Sequence, residues 1–340
     1  MTGDVACNKE PSLHLLSLGF RYFFKTVIMG EQGLTLVCKG RVLSFGVKTY
    51  VMGILNVTPD SFSDGGRYTA PDAALKHAED MIGAGVDIID VGGESTRPFA
   101  QPVSVREELS RVVPVIEAIR RRWDVLLSID TYKAEVAGAA VSAGADIVND
   151  VTALRYDPAM VDVLLKHQVP AILMHMQGMP QDMQVRPYYD DVVGEVMAFL
   201  RERLAWAGEM GIDRDRFILD PGIGFGKDAD HNLMLLRSIS AFQELGRPIL
   251  IGPSRKSFIG KILDIDVGER DGATQAVVAV GVWEGAHIVR VHDVRSAVYT
   301  VRIVEAIRKG SVQHTAVPSP ADRQSADRRQ ESGDRSGDEC

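Results

Sequence analysis

One pattern recurs through the chain from Tyr50 to about Arg308, and it limits the folds open to it. An amphipathic helical stretch closes on a small-residue turn, a short apolar run follows, and the run ends in a polar residue. MIGAGVDIIDVGG (81–93), AVSAGADIVND (140–150), GEMGIDRDRFILDPG (208–222) and VWEGAHIVRVHD (282–293) carry it most clearly. YVMGILN (50–56), VLLSID (125–130), VPAILMH (169–175) and PILIGPS (248–254) bring the short apolar runs to eight. They are continuously apolar rather than alternating, as parallel strands covered by helices are. Residues 73–84, 106–121, 133–143, 190–210 and 297–308 carry apolar side chains at helical spacing between them.

Strands that alternate with helices either close into a barrel or open into a doubly wound sheet. An open sheet favours a glycine-rich phosphate loop after its first strand. Here the first strand runs into Asn56, Val57, Thr58 and Pro59 instead. Polar residues also end nearly every strand rather than gathering at one switch point, which is how barrel active sites are built. The expected fold class is α/β: a (β/α)8 TIM barrel over residues 34–310, with an N-terminal β-hairpin and a disordered C-terminal tail. The hairpin is read from MGEQGLTLVCKGRVLSFG (29–46), two short apolar runs around Lys39-Gly40. Residues 1–33 are expected to form a poorly ordered extension, and Met29 is either internal to it or the start of translation. Residues 311–340, rich in Ser, Asp, Arg, Gln and Pro, cannot bury enough surface to offset their ordering entropy.

Of the 340 residues 45% are apolar, ample for a large core. A net charge of −8 argues against general nucleic-acid affinity but leaves room for a local basic pocket. Cys7, Cys38 and Cys340 stand far apart and outside any metal or CxxC spacing. A reducing cytoplasm is therefore expected, with no disulfide framework or zinc site. No apolar run reaches the ~20 residues that span a membrane. Residues 13–28 are interrupted by Arg21 and Lys25 and lack the features of a signal peptide. Neither nucleic acid nor membrane is expected as a partner.

The strand ends form a chemical constellation. In order they are Asn56; Glu94, Ser95, Thr96 and Arg97; Asp130; Asn149 and Asp150; His175; Asp220; Ser254, Arg255, Lys256 and Ser257; then Arg290, His292 and Asp293. In a barrel they converge on one mouth. Arg290, His292 and Lys256, with Arg97 and Arg255 nearby, suit an anion such as phosphate. Asp130, Asn149 and Asp220 suit a flat heterocycle with several N–H groups and a carbonyl. No order of residues suggests covalent catalysis or a transition-metal site. The pocket reads as one that binds a polyphosphorylated heterocycle and transfers part of it.

Plainer roles compete. Asp150 and Asp293 read as helix N-caps. Asp130 is as readily a cap as a ligand group, and His175 as readily structural as functional. Lys227 and Asp228 read as a solvated loop, and His14, His77, His167 and His314 as surface or tail. GIGFG (222–226) reads as backbone that approaches a flat ligand closely, with Phe225 as a stacking face.

MGILNVTPDSFSDGG (52–66), VDIIDVGGESTRP (86–98), SIDT (128–131), NDVT (149–152), LDPGIGFGK (219–227), GPSRKSFIG (252–260) and RVHDV (290–294) follow one another in a familiar order. Over about residues 34–308 the chain resembles the dihydropteroate synthase family. The resemblance implies a transferase of folate biosynthesis. It would condense 6-hydroxymethyl-7,8-dihydropterin pyrophosphate with p-aminobenzoate, giving 7,8-dihydropteroate and pyrophosphate. It also implies a magnesium ion held by Asn56 and Asp64, and a homodimer. Asp130, Asn149, Asp220 and Lys256 would grip the pterin, and Arg290 and His292 the pyrophosphate; Asp130, Lys256 and Arg290 would serve catalysis. Thr96, Arg97 and Pro98 would lie on one mobile loop, Phe62 and Asp64 on another. Ser257 and Phe225 would help form the aminobenzoate pocket, which sulfonamides would share. The chain departs from the family in its long N-terminus and its acidic, Ser-rich tail. A pterin-binding methyltransferase need not keep GPSRKSFIG or RVHDV, and a non-catalytic pterin-binding paralogue should have lost loop or anion residues.

Overall fold

The computed structural model describes residues 33–58, 70–95, 101–178 and 183–311. Asp64, Thr96 and Arg97 lie outside the described residues, as do Phe62, Cys7 and Cys340. So do the two ends expected to be disordered, apart from Gly33 and Ser311.

Strands β1 (Thr35–Cys38) and β2 (Arg41–Ser44) pair antiparallel around Lys39-Gly40 and form the expected hairpin. Eight parallel strands follow: β3 (Tyr50–Asn56), β4 (Ile88–Gly92), β5 (Leu126–Asp130), β6 (Ile147–Asp150), β7 (Ala171–Met174), β8 (Phe217–Asp220), β9 (Leu250–Ile251) and β10 (Ile288–Val291). β3 to β8 lie side by side in chain order, β10 pairs with the other side of β3, and β9 pairs with β10. Leu219 of β8 bridges Ile249, and its amide donates to the Pro248 carbonyl at 2.9 Å, so the sheet closes into a barrel.

The helices are α1 (Ala70–Ala84), α2 (Val105–Arg122), α3 (Ala134–Ala143), α4 (Met160–His167), α5 (Val192–Glu209), α6 (Ala229–Leu236), α7 (Ser257–Leu263), α8 (Arg270–Trp283) and α9 (Val294–Lys309). The five helical stretches read from spacing coincide with α1, α2, α3, α5 and α9. The short helices α4, α6 and α7 give little more than two turns of periodicity. α8 escapes for another reason: Val278 and Val282 are buried while Val280 and Trp283 are exposed, so its apolar residues do not mark one face.

Side chains alternate across a strand, and this explains the unbroken apolar runs. One set points outward. Ile89, Val91, Leu127, Ile129, Val148, Leu173, Leu219 and Val289 pack with helix residues such as Val112, Ile116, Val136, Leu164, Val196, Val282 and Val301. The other set points into the barrel. Met52, Ile88, Leu126, Ile147, Ile172, Ile218, Leu250 and Ile288, one from each strand, form a floor. Leu36, Cys38, Leu43 and Phe45 of the hairpin region pack onto that floor from below. The hairpin therefore closes the N-terminal end of the barrel and leaves chemistry to the other end.

Candidate active site

Two residues beyond the floor, the inward positions change character. Ile88 leads to Asp90, Ile147 to Asn149, Ile218 to Asp220 and Ile288 to Arg290, while Leu126 leads through Ser128 to Asp130. Met52 leads through Ile54 to Asn56. The pleat alone turns these side chains to the same inward side of the barrel.

Arg290 stands between two carboxylates. Its Nε donates to Asp90 Oδ2 at 2.6 Å, and its Nη2 to Asp130 Oδ2 at 2.6 Å. Asn149 Nδ2 donates to the same Asp90 oxygen at 3.0 Å. Burial pushes the Asp130 carboxyl up to about 7; Arg290 pulls against that, and Asp90, Glu108 and Asp150 add to the rise. Burial also opposes the Arg290 charge, but Asp90 and Asp130 outweigh it and keep the guanidinium protonated. Asp90 Oδ1, Asp130 Oδ1 and Ser128 Oγ have no hydrogen-bond partner among the described residues. Buried oxygens without donors are costly, and a ligand rich in N–H groups would supply what the protein does not.

A second group comes from the ends of β7 and β8. Asp220 Oδ1 accepts from the Gly222 amide at 2.7 Å. Burial raises its carboxyl to about 6 against the pull of that amide, Lys256, Lys227 and Arg290. The turn then doubles back on the protein. At Gly222, φ 72°, a Cβ would sit 1.9 Å from the His175 carbonyl oxygen; at Gly224, φ 82°, it would sit 2.6 Å from Lys256 Cδ. Only glycine fits either position. The close approaches expected of GIGFG toward a flat ligand are thus made to the protein's own strand and lysine. Phe225 joins Tyr132, Val151, Met174, Met176 and Met183 in a buried apolar cluster. Lys256 Nζ lies 3.8 Å from the centroid of its ring.

Lys227 is no solvated loop residue: it is 2% exposed. Its Nζ lies 2.9 Å from His175 Nδ1 and donates to the Phe225 carbonyl at 2.9 Å. Burial lowers the ammonium to about 7, with Asp220 opposing and Lys256 adding. Burial, Lys227 and Arg155 drive the His175 imidazole down to about 2, so that ring stays neutral. Asp228 is half exposed, and it caps α6 by accepting from His231 N at 2.8 Å.

At the third group, Ser254 Oγ lies 2.8 Å from His292 Nδ1 and accepts from His292 N at 3.2 Å. This orients the ring on the face of β10 that carries Arg290. Ser257 is exposed at the start of α7. Arg255, expected to add positive charge for an anion, is otherwise engaged: its Nε and Nη2 each lie 2.7 Å from a carboxylate oxygen of Asp271 in α8. Asp293 caps α9 through Ser296 N at 3.1 Å, as expected; Asp150 instead holds the amides of Thr152 and Leu154 at 2.7 and 3.0 Å in a turn, and α4 begins only at Met160. Asn56 opens onto the same space as Asp130. A Cβ on Gly92 would lie 3.7 Å from Asn56 Oδ1 and 3.7 Å from Asp130 Oδ2. Asn56 Oδ1 is a hard oxygen, the donor type that magnesium takes beside carboxylates and phosphates.

The family model described as pterin binding enzyme matches residues 52–292. A dihydropteroate synthase of Bacillus subtilis (strain 168) is 47% identical over 285 residues, covering 84% of this chain and 98% of that protein. The chain belongs to the dihydropteroate synthase family. Solved structures of the family agree in fold. The Yersinia pestis dihydropteroate synthase with a sulfonamide drug complex has a TM-score of 0.77 at 44% identity, covering 81% of this chain and 99% of that one. The Xanthomonas albilineans enzyme with 4-aminobenzoic acid has a TM-score of 0.77 at 45% identity, covering 81% and 98%.

Within this family fold, Asp130, Asn149, Asp220, Phe225, Lys256, Arg290, His292 and Asn56 all stand at the C-terminal mouth of the barrel. Three buried charges there escape the sequence reading. Asp90 sits inside a strand rather than at its end, although its spacing from Ile88 marks it as inward. Lys227 looks like a loop lysine. Lys133 Nζ contacts Glu94 and lies 2.6 Å from Glu108 Oε2 and 2.8 Å from the Val103 carbonyl. Glu94 also accepts from Val103 N at 3.1 Å, so this strand-end carboxylate clamps the start of α2 instead of facing a ligand.

Proposed function

We propose that this chain condenses 6-hydroxymethyl-7,8-dihydropterin pyrophosphate with p-aminobenzoate to give 7,8-dihydropteroate and pyrophosphate. The observation that carries the reading is the convergence of Asp130, Asn149, Asp220 and Arg290 in one barrel mouth, with carboxylate oxygens that have no donor among the described residues, in a chain of this family. A pterin is flat and rich in N–H donors, which complements those acceptors. The Phe225 ring and its apolar neighbours suit its face.

The reaction breaks the C–O bond between the pterin methylene and the pyrophosphate, and the electron pair leaves with the pyrophosphate. The pterin ring delocalises the positive charge left on the methylene, and the Asp130 carboxylate offsets it. The amine of p-aminobenzoate forms the new C–N bond and then loses a proton. That amine is neutral at pH 7, so no strong protein base is needed. Arg290 and His292 gather positive charge for the departing anion, while Lys256 holds the pterin. Asn56 and Asp64 would hold magnesium, which when bound adds positive charge at the pyrophosphate. Thr96, Arg97, Ser257 and Phe225 would bound the aminobenzoate.

Purified protein supplied with both substrates and magnesium should form dihydropteroate, followed by chromatography, and the gene should restore growth of a folate-requiring strain. Pterin binding without product would favour a non-catalytic binder; methyl transfer from a methylated pterin would favour the methyltransferase reading.

The same reading includes a cytoplasmic homodimer. Among the described residues no helix is long and apolar enough to cross a membrane. Ile262, Leu263, Val280 and Trp283 on α7 and α8, and Tyr299, Ile303 and Ile307 on α9, are exposed large apolar residues. Between α6, α7 and α8 lies a groove lined by Leu233, Leu236, Phe258, Ile262 and Val277. A second copy is the occupant this face fits, because self-association covers apolar surface with a matching apolar surface. Sedimentation should give twice the chain mass, and Ile262→Glu should shift it toward the monomer.

A further inference from the structure

We infer that Lys227 is a positioning residue for the pterin site: it ties the 222–226 turn to the end of β7 and so sets Asp220, Phe225 and Lys256. The inference rests on the pterin reading above.

Three successive carbonyls of that turn are each held by a side chain from another part of the fold. Gln184 Nε2 donates to Gly224 O at 2.9 Å, Lys227 Nζ to Phe225 O at 2.9 Å, and Tyr189 Oη to Gly226 O at 2.9 Å. The Gly224 amide in turn donates to Asn232 Oδ1 at 2.6 Å. Lys227 also makes polar contacts just past the end of β7, at 2.9 Å from His175 Nδ1 and 3.4 Å from His175 O. His175 is itself part of the barrel frame, since its amide donates to the Asp220 carbonyl at 2.9 Å. The amine therefore closes a loop of bonds from the end of β7 through the turn and back to Asp220 at its start.

Each consequence of that tie falls on a residue of the site. The Gly222 amide that holds Asp220 Oδ1 belongs to the turn. Phe225, whose carbonyl Lys227 holds, presents its ring to Lys256 Nζ at 3.8 Å. Gly224 rests against the Lys256 side chain. A helix cap or a simple stop to the turn would not need a buried amine, whose desolvation is costly. An amine serves here because one group reaches two carbonyls and a ring nitrogen, past the end of β7 and in the turn after β8.

The test compares Lys227→Met with the wild type, well below either melting temperature, by titration calorimetry with 6-hydroxymethylpterin and separately with inorganic pyrophosphate and magnesium. Wild-type protein should bind the pterin; if it does not, the functional reading fails and not this inference. In Lys227→Met the pterin Kd should rise about tenfold or more, with pyrophosphate within twofold of wild type. In turnover the KM for the pterin substrate should rise, and the KM for p-aminobenzoate should rise with it, because Phe225 bounds that pocket too. Pterin affinity within twofold of wild type, or equal weakening of both ligands, overturns the inference. If Lys227→Met does not fold, Tyr189→Phe decides, because it keeps the ring and removes one tie from the same turn. A three- to tenfold loss confined to the pterin supports the positioning role, and wild-type pterin affinity overturns it.

Discussion

Asp90 Oδ2 accepts a hydrogen bond from Arg290 Nε at 2.6 Å, inside the barrel and across 200 residues of chain. Asp90 is fully buried, and Arg290 largely so. Removing one partner of a buried pair costs about 3–5 kcal/mol, because the remaining charge loses its compensation. Arg290 keeps Asp130 when Asp90 is neutralised, so Asp90→Asn should cost about 3 kcal/mol, the low end of that range. Arg290→Met strands two buried carboxylates and should cost more. Urea unfolding at pH 7 measures both. A loss below about 0.5 kcal/mol for Asp90→Asn, the size of a neutral surface change, would show that the pair contributes nothing to stability.

Asp220 should make pterin binding depend on pH. Its carboxyl is raised from 3.8 to about 6 by burial. The folded chain therefore holds a proton that the unfolded chain has released, and this contribution to stability is full below 3.8 and lost as pH rises through 6. Ligand binding runs the other way, since the ionised carboxylate is the acceptor. Pterin affinity should rise with pH up to about 6, by about tenfold per pH unit below it for one linked proton. Asp130, raised to about 7, adds a second step in the same range. The part that disappears in Asp220→Asn belongs to Asp220. Calorimetric titrations between pH 5 and 8 on both proteins decide it, and superimposable profiles would remove Asp220 from the linkage.

The barrel itself was legible because eight apolar runs ending in polar residues have few other uses. β3 spans the same seven residues, Tyr50–Asn56, that the run YVMGILN marks. The polar strand ends were legible for the same reason, since each is where an inward position first meets the ligand end. Asp90 was hidden because a carboxylate inside IIDVG gives no boundary signal; its partner Arg290 lies far away in sequence and meets it only when β10 pairs beside β3 and β4. Lys227 was hidden because a lysine after a glycine run resembles any exposed loop. What buries it are His175 and Tyr189, brought in from the β7 side. Arg255 misled in the opposite sense: a cation beside Lys256 suggests anion binding, but Asp271 one helix later neutralises it.

The hairpin should matter for stability and not for chemistry. Leu36 is 1% exposed and packs on the floor formed by the strand residues of the barrel's N-terminal end. Leu36→Ala should cost about 3 kcal/mol through lost burial and the cavity left behind. The catalytic groups lie at the opposite end, so kcat measured well below the melting temperature should be unchanged. A fall in kcat with unchanged stability would mean that the floor transmits its packing to the mouth.

Lys227 makes the stability of the fold depend on pH. Burial brings its ammonium from 10.5 down to about 7. Between those values the unfolded chain carries a proton there and the folded chain does not, so folding releases a proton and stability gains with rising pH. The sign is opposite to that for Asp220, because a basic group with a depressed value destabilises the fold where it must be charged. The groups that face it do not blur this window. Asp220 is ionised above about 6, His175 is neutral throughout, and burial lifts the Tyr189 hydroxyl above the ordinary phenol range. Lys256 faces it as well and is present in both proteins compared. Lys227→Met has no proton to release at this position. The stability of wild type minus that of Lys227→Met should therefore climb from pH 7 to pH 9.5 by about 1.4 kcal/mol per pH unit at most, the slope of one linked proton. Urea midpoints at pH 7, 8, 9 and 9.5 on both proteins give the difference directly. Parallel curves would mean that the buried amine keeps its proton, and the neutral Lys227–His175 contact would have to be replaced by an ammonium donating to all three of its partners.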